Sequence, residues 1–189
     1  MSTEFGTRRV AGQHAREQAR RREWLRFLGG SFRRNFETWS RGAEGEEAVG
    51  QILESLSETG WHVIHDVSLG RGNIDHVVVG PGGLFTVETK SHRGKILLDN
   101  LDPKMVSQAY SEKKTLETIT GIKVRSLLVF SQAYLIGRVP AKRRGVTILP
   151  ARMLPHFFSR QRPTMSPQEA RQVHDRLAVA VGQAALPVG

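Results

Sequence analysis

Asp75, Glu88 and Lys90 stand near the two ends of the stretch NIDHVVVGPGGLFTVETK, residues 73–90. Between them, HVVV and LFTV are β-branched and aromatic runs, and GPGG is a cluster of chain-reversing residues. The stretch therefore predicts a β-hairpin. If its strands pair about Pro81–Gly82, Val79 faces Leu84, Val77 faces Thr86 and Asp75 faces Glu88. Alternation then puts Lys90 on the face of Glu88 and turns Thr89 away. Directly opposite Cβ atoms lie about 4.5–5.5 Å apart, and two carboxylates at that spacing repel unless positive charge sits between them. Lys90 supplies one such charge. A divalent cation would supply two more, and two carboxylates with water are what Mg²⁺ takes. A cation held this way would polarise a phosphate and lower the pKa of a bound water, with Lys90 placed to orient or deprotonate that water. A plain surface ion-pair ladder on an edge hairpin is the other reading of the same spacing.

The surrounding elements must position these groups. RGAEGEEAVGQILESLSETG at 41–60 predicts a helix, with Ala48, Val49, Ile52, Leu53 and Leu56 as its apolar stripe and Gly60 as its stop. WHVIHDV at 61–67 alternates and reads as a strand. GRGN at 70–73 precedes a strand rather than a helix and lacks the Lys-Ser/Thr of a nucleotide loop. It reads as a loop, with Arg71 available to a phosphate. After the hairpin, KILLDN predicts a short strand, and residues 102–121 a helix started by Asp102 and Pro103 and stopped by Gly121. VRSLLVFS is a strand covered on both faces. GVTILP is a further strand, and ARMLPHFF and SPQEARQVHDRLAVAVGQAA are closing helices. Such an order predicts an α/β or α+β fold with a mixed central sheet. His76 falls on the face opposite Asp75, and His62 and His65 fall on opposite faces of their strand, so the histidines do not make a zinc site.

Charge divides the chain unevenly. The net charge of +10 points to nucleic acid or an anionic membrane as partner. Residues 1–41 hold ten Arg, no Lys and four Glu, a net of +6, whereas residues 42–189 hold eighteen Lys or Arg against fourteen Asp or Glu, a net of +4. His14 to Leu28 reads as a helix, GGS at 29–31 interrupts it, and FRRNFETW resumes it. Trp24, Phe27, Leu28, Phe32, Phe36 and Trp39 would line one face, packed on the domain or on a second copy in a homodimer. A membrane-surface helix is the rival. No run approaches the roughly 18 apolar residues of a membrane span, no secretion signal is evident, and the absence of Cys excludes disulfides and fits the cytoplasm. Three parts follow: a basic helical arm at 1–41, a core at 42–150 and a helical extension at 151–189 that packs on the core.

GAEGEEAVGQIL, GNIDHVVVGPGGLFTVETKSHRGKI and SQAYSEKKTLE resemble the NERD (nuclease-related domain) family of the PD-(D/E)xK nuclease superfamily, over roughly residues 42–135. The resemblance implies a restriction-endonuclease-like core. It implies Asp75 and Glu88 as metal-binding acids, the Thr89 carbonyl as a further ligand and Lys90 as the catalytic lysine. Glu46 matches the acid on the first helix, and Gln108 a polar residue on the helix after the hairpin. The superfamily's proline is missing, since Asn73–Ile74 precede Asp75. The implied activity is hydrolysis of DNA phosphodiester bonds by metal-activated water with Mg²⁺ or Mn²⁺ as cofactor; RNA is the other polymer the same chemistry would accept. Arg71, Arg93 and Lys95, with Arg20, Arg21 and Arg22 of the arm, are the candidates for nucleic-acid contacts. The alternative is a non-catalytic DNA-binding or scaffolding module built on a nuclease-like core.

Overall fold

The computed structural model describes residues 32–69 and 72–181, with side chains in the first helix from residue 42 onward. Arg20, Arg21, Arg22, Arg71 and the aromatic face of the arm lie outside the residues or side chains described.

Helix α1 spans Phe32–Glu54. The two helical stretches expected either side of residue 40 are thus one element, passing through Gly42 and Gly45 without interruption. A 3-10 turn, Ser55–Thr59, follows, and Gly60 closes it with a left-handed φ of 82°. The chain then enters β1 (His62–Ser68), β2 (Asn73–Gly80), β3 (Gly83–Lys90) and the short β4 (Gly94–Leu97). Helix α2 (Pro103–Thr120) begins as its sequence predicts: the Asp102 side chain accepts the Lys104 N–H and Pro103 opens the first turn. Gly121, with φ 66°, ends it. Strand β5 is Val124–Phe130, β6 Ala133–Ile136, β7 Ala141–Arg143 and β8 Val146–Pro150. Helices α3 (Leu154–Ser159) and α4 (Pro167–Ala180) follow, the latter started by a capping box between Ser166 and Glu169.

Six strands form one mixed sheet in the order β1-β2-β3-β5-β8-β7, while β4 and β6 make a separate parallel pair. The hairpin register is the expected one from Gly80 to His76, with Val79 opposite Leu84 and Val77 opposite Thr86, but the ladder ends at His76↔Val87, so the expected Asp75–Glu88 pair is not part of it. Strands β3, β5 and β8 run parallel, so they need covered faces and carry near-continuous apolar sequence. On one face, Val49 and Leu53 of α1 and Leu154 and Phe158 of α3 pack on Val78, Phe85, Val87, Leu127 and Val129. The other face takes Leu116 of α2 and Ala170, Val173 and Leu177 of α4 against β1–β3. Val106 and Ala109 of α2 pack on Leu128, Phe130 and Ile148. Each large side chain buried in this way contributes roughly 1.5–3 kcal/mol. GPGG has a second role beside chain reversal. A Cβ on Gly80 would stand 2.4 Å from the Trp61 ring, so the glycine lets the indole close that end of the core. No helix among the described residues is long and apolar enough to cross a membrane.

Candidate active site

At Asp75, strand β2 leaves both neighbours. The β1–β2 ladder passes from His65↔His76 to Val67↔Ile74 without pairing Asp66 and Asp75, and the β2–β3 ladder stops at His76↔Val87. Asp66 has φ 52°, a left-handed conformation that Asp tolerates better than most residues. Its Oδ1 accepts from Asn73 Nδ2 at 3.2 Å. Outside the ladders, the Asp75 carboxylate turns to β3 and accepts the Thr89 N–H at 2.6 Å. A strand residue aims its N–H and C=O at the same edge, so the Thr89 carbonyl lies on that side as well.

Glu88 meets Gln108 of α2 and is 3% exposed. Lys90 Nζ donates to Glu88 Oε1 at 2.6 Å and to Gln108 Oε1 at 3.0 Å. Gln108 Nε2 donates in turn to Glu88 Oε1 at 2.7 Å and to Glu112 Oε1 at 3.0 Å. The capped start of α2 fixes the rotation of the helix, and residues four apart share a face, so Gln108 and Glu112 reach β3 together. Oε2 of Glu88 and Oε2 of Glu112 are buried without a hydrogen-bond partner.

Crowding of carboxylates shows in their protonation. Burial lifts Asp75 well above the ordinary carboxylate range, Glu88 and Glu46 lift it further, and the Thr89 N–H pulls it back. Glu46, from α1, rises to about 7 through burial first and then the charges of Asp66 and Glu88, against the pull of Lys90. Glu112 rises to about 9, again through burial and then Glu88. Burial lowers Lys90, but the Glu88 carboxylate outweighs it, and the ammonium persists above the usual lysine range. Behind the site, His76 faces α1 and its Nδ1 lies 2.8 Å from His65 Nδ1. Burial and then His65 hold it down at about 3, a neutral core histidine.

All five side chains expected at the site, Glu46, Asp75, Glu88, Lys90 and Gln108, therefore converge. Arg93 and Lys95 lie past the end of β3 and are exposed; Arg93 Nε donates to Gln132 Oε1 at 2.7 Å. Glu112 and Asp66 were not expected. The four-residue spacing of Glu112 from Gln108 on a predicted helix was the available signal; for Asp66 it was only the strand position opposite Asp75. Among the described residues, no group of three His, Asp or Glu side chains could hold a metal ion by itself. The donors available are the Asp75 and Glu88 carboxylates and the Thr89 carbonyl, hard oxygens that suit Mg²⁺ or Mn²⁺. Solvent would have to complete the set. The partnerless Glu88 oxygen and the mutual repulsion of the acids are what a divalent cation would relieve.

The fold is a mixed sheet sandwiched by helices, with two acids and a lysine at the open end of the β2–β3 hairpin. Residues 41–131, just under half of the chain, match the model of the nuclease-related domain family, NERD. An uncharacterised protein of Bacillus anthracis is 34% identical over 61 residues, which cover 30% of this chain and 29% of that protein. Among solved structures, a repair endonuclease from Pyrococcus abyssi shares 22% identity at a TM-score of 0.31, covering 60% of this chain and 42% of that one. EndoMS in a complex with double-stranded DNA shares 20% at 0.33, covering 62% and 42%. This chain thus spans less than half of the length of each of these three proteins.

Proposed function

We propose that this protein is a Mg²⁺- or Mn²⁺-dependent nuclease that hydrolyses phosphodiester bonds in DNA. The observation that supports this most is the Asp75–Thr89 and Glu88–Lys90–Gln108 arrangement: acids buried together at a cost, beside a lysine kept charged. A divalent ion held by Asp75, Glu88 and the Thr89 carbonyl would supply the positive charge that polarises a phosphate and acidifies water. The chain's own groups do the rest. Gln108, bonded to both Lys90 and Glu88, fixes the ammonium beside the carboxylate. From there Lys90 orients the attacking water and stabilises the negative charge that develops on the phosphate oxygens. Glu46, poised near neutral pH, is suited to take the water's proton.

A non-catalytic DNA-binding or scaffolding module is the second reading. It is favoured by the Glu88 oxygen already taken by both Lys90 and Gln108, which leaves that carboxylate satisfied on one side as a structural group would be. Incubation with supercoiled plasmid and with linear DNA, in Mg²⁺, in Mn²⁺ and in EDTA, separates the two. Nicking or degradation that needs metal and disappears in Lys90→Ala is expected. DNA binding that survives EDTA, with no cleavage under any condition, would leave the docking module.

A further inference from the structure

The three parallel strands end level with one another. Lys90, Phe130 and Pro150 sit side by side on β3, β5 and β8, and Ser131 N donates to the Lys90 carbonyl at 3.1 Å. Just past these ends lies a shallow cleft of about 210 Å³, bordered by Ser131, Gln132, Tyr134, Ala151 and Arg152. Strand β6 alternates, with Ala133 and Leu135 buried, so Tyr134 is turned outward and is 59% exposed. The Arg152 guanidinium lies 5.7 Å from the centre of its ring. Lys95 is its register partner on β4, and Arg93 is bonded to Gln132, which borders the cleft.

An exposed aromatic ring with an arginine beside it and a lysine on the next strand is suited to one kind of ligand. A nucleobase offers a π-face to the ring, while its phosphates meet the cations. A second copy of this chain would bring Arg93, Lys95 and Arg152 against their own kind, so the rim selects an anionic partner. Neighbouring strands are about 4.8 Å apart, which puts the cleft roughly 10 Å from Lys90, close enough for one nucleic-acid strand to lie over both. In a continuous duplex each base is covered above and below by its neighbours, so only an unpaired base can stack here.

We propose that Tyr134 and Arg152 form a stacking subsite for one unpaired nucleobase of the strand whose phosphate lies at Glu88 and Lys90. The proposal rests on the nuclease reading and narrows its substrate to single-stranded or frayed nucleic acid. The test uses the full chain in EDTA with a short single-stranded oligodeoxynucleotide carrying 2-aminopurine, and with a blunt duplex of the same sequence. Wild type should quench the 2-aminopurine on binding. Tyr134→Ala should bind the single strand about tenfold more weakly and lose the quenching, while Tyr134→Phe keeps both and the duplex is bound equally by all three. Equal single-strand affinity and quenching in wild type and Tyr134→Ala overturns the subsite. So does a Tyr134→Ala protein that sediments as a smaller species with unchanged DNA binding, which makes the face an interface between copies. Cleavage of the same oligonucleotide in Mn²⁺ is read in parallel. Its loss in Lys90→Ala with no effect of Tyr134→Ala overturns the subsite alone, whereas a wild type that neither binds nor cleaves overturns the nuclease reading with it.

Discussion

Lys90 is the residue on which the site's charge balance turns, because it alone among the described cations donates to Glu88. Lys90→Ala and Glu88→Ala should each lower DNA cleavage at least about 100-fold, on plasmid and on single-stranded substrate alike. Far-ultraviolet circular dichroism should be unchanged, since both groups end at the site. Thr89→Val is the contrasting variant. Its Oγ1 is buried without a partner, so an isosteric methyl removes an unsatisfied group at little cost, and both melting temperature and cleavage should stay near wild type. Equal cleavage by wild type and Lys90→Ala would refute the nuclease assignment and expose a contaminating activity at once. The neighbourhood of Glu88 and Lys90 was legible from strand alternation. The facing of Asp75 and Glu88 across the hairpin was not realised, because β2 leaves the β3 ladder after His76 and Asp75 turns to the Thr89 N–H. Glu112 was not legible, since a glutamate four residues from a glutamine is commonplace on any helix. Only the approach of α2 to β3 makes its burial matter. Asp66 was hidden by backbone conformation, as a φ of 52° in a strand leaves no mark on residue order.

Helix α1 shows what an element contributes beyond its side chains. A Cβ on Gly45 would meet Ser131 Oγ and Ser91 Cβ at 2.7 Å, whereas a Cβ on Gly42 meets nothing within 4 Å. Gly45 thus allows α1 to touch the ends of β3 and β5, and Glu46 follows it immediately. Alanine is the better helix former by about 1 kcal/mol, so Gly42→Ala should raise the melting temperature by a few degrees. Gly45→Ala gains the same propensity but forces the helix off two short, stiff neighbours, at about 1–3 kcal/mol. It should melt no higher than wild type and cleave more slowly, because Glu46 moves with the helix. A Gly45→Ala protein as stabilised and as active as Gly42→Ala would show that this contact does not set the position of Glu46. At this scale the sequence conveyed the long, strongly punctuated elements: the hairpin from its GPGG turn, α2 from Asp102, Pro103 and Gly121, and β5 from its apolar run. It did not convey β6 and β7, four and three residues long, because such short strands exist only through their pairing with β4 and β8. Nor did it show that α1 continues through residues 40–42, since FRRNFETW and residues 41–60 read as two separate helical segments.

Over the whole molecule, charge and stability are set by how groups are shared out. Residues 1–31 carry seven Arg and three Glu. If this segment touches DNA, deleting it should flatten the slope of log affinity against log salt, by about 0.9 for each phosphate that the segment neutralises. An unchanged slope would assign the segment to packing or dimerisation. Stability without metal should depend on pH in a way that reports the crowded acids. Glu46 at about 7 and Glu112 at about 9 bind protons more tightly folded than unfolded, as does Asp75. Their stabilisation is full below the unfolded carboxylate range and is lost as pH rises through the folded values. His65 and His76 act in the opposite sense: burial keeps them neutral, so they cost stability as pH falls below about 6.5. From about pH 6.5 to about pH 8.5 the histidines are largely neutral in both states and only the carboxylates still titrate, so in EDTA the melting temperature should fall across this range. A divalent ion that binds only the folded site adds about 2.7 kcal/mol at one hundred times its Kd. Millimolar Mn²⁺ should accordingly restore much of the loss at pH 8.5 and add less at pH 6.5, where protons compete for the same oxygens. Asp75→Asn removes one of the repelling charges, so it should melt higher than wild type in EDTA at pH 8.5 and gain less from Mn²⁺. A wild type that melts at one temperature across this range, gains nothing from Mn²⁺ and is more stable than Asp75→Asn would mean that these carboxylates form a structural ladder and hold no metal.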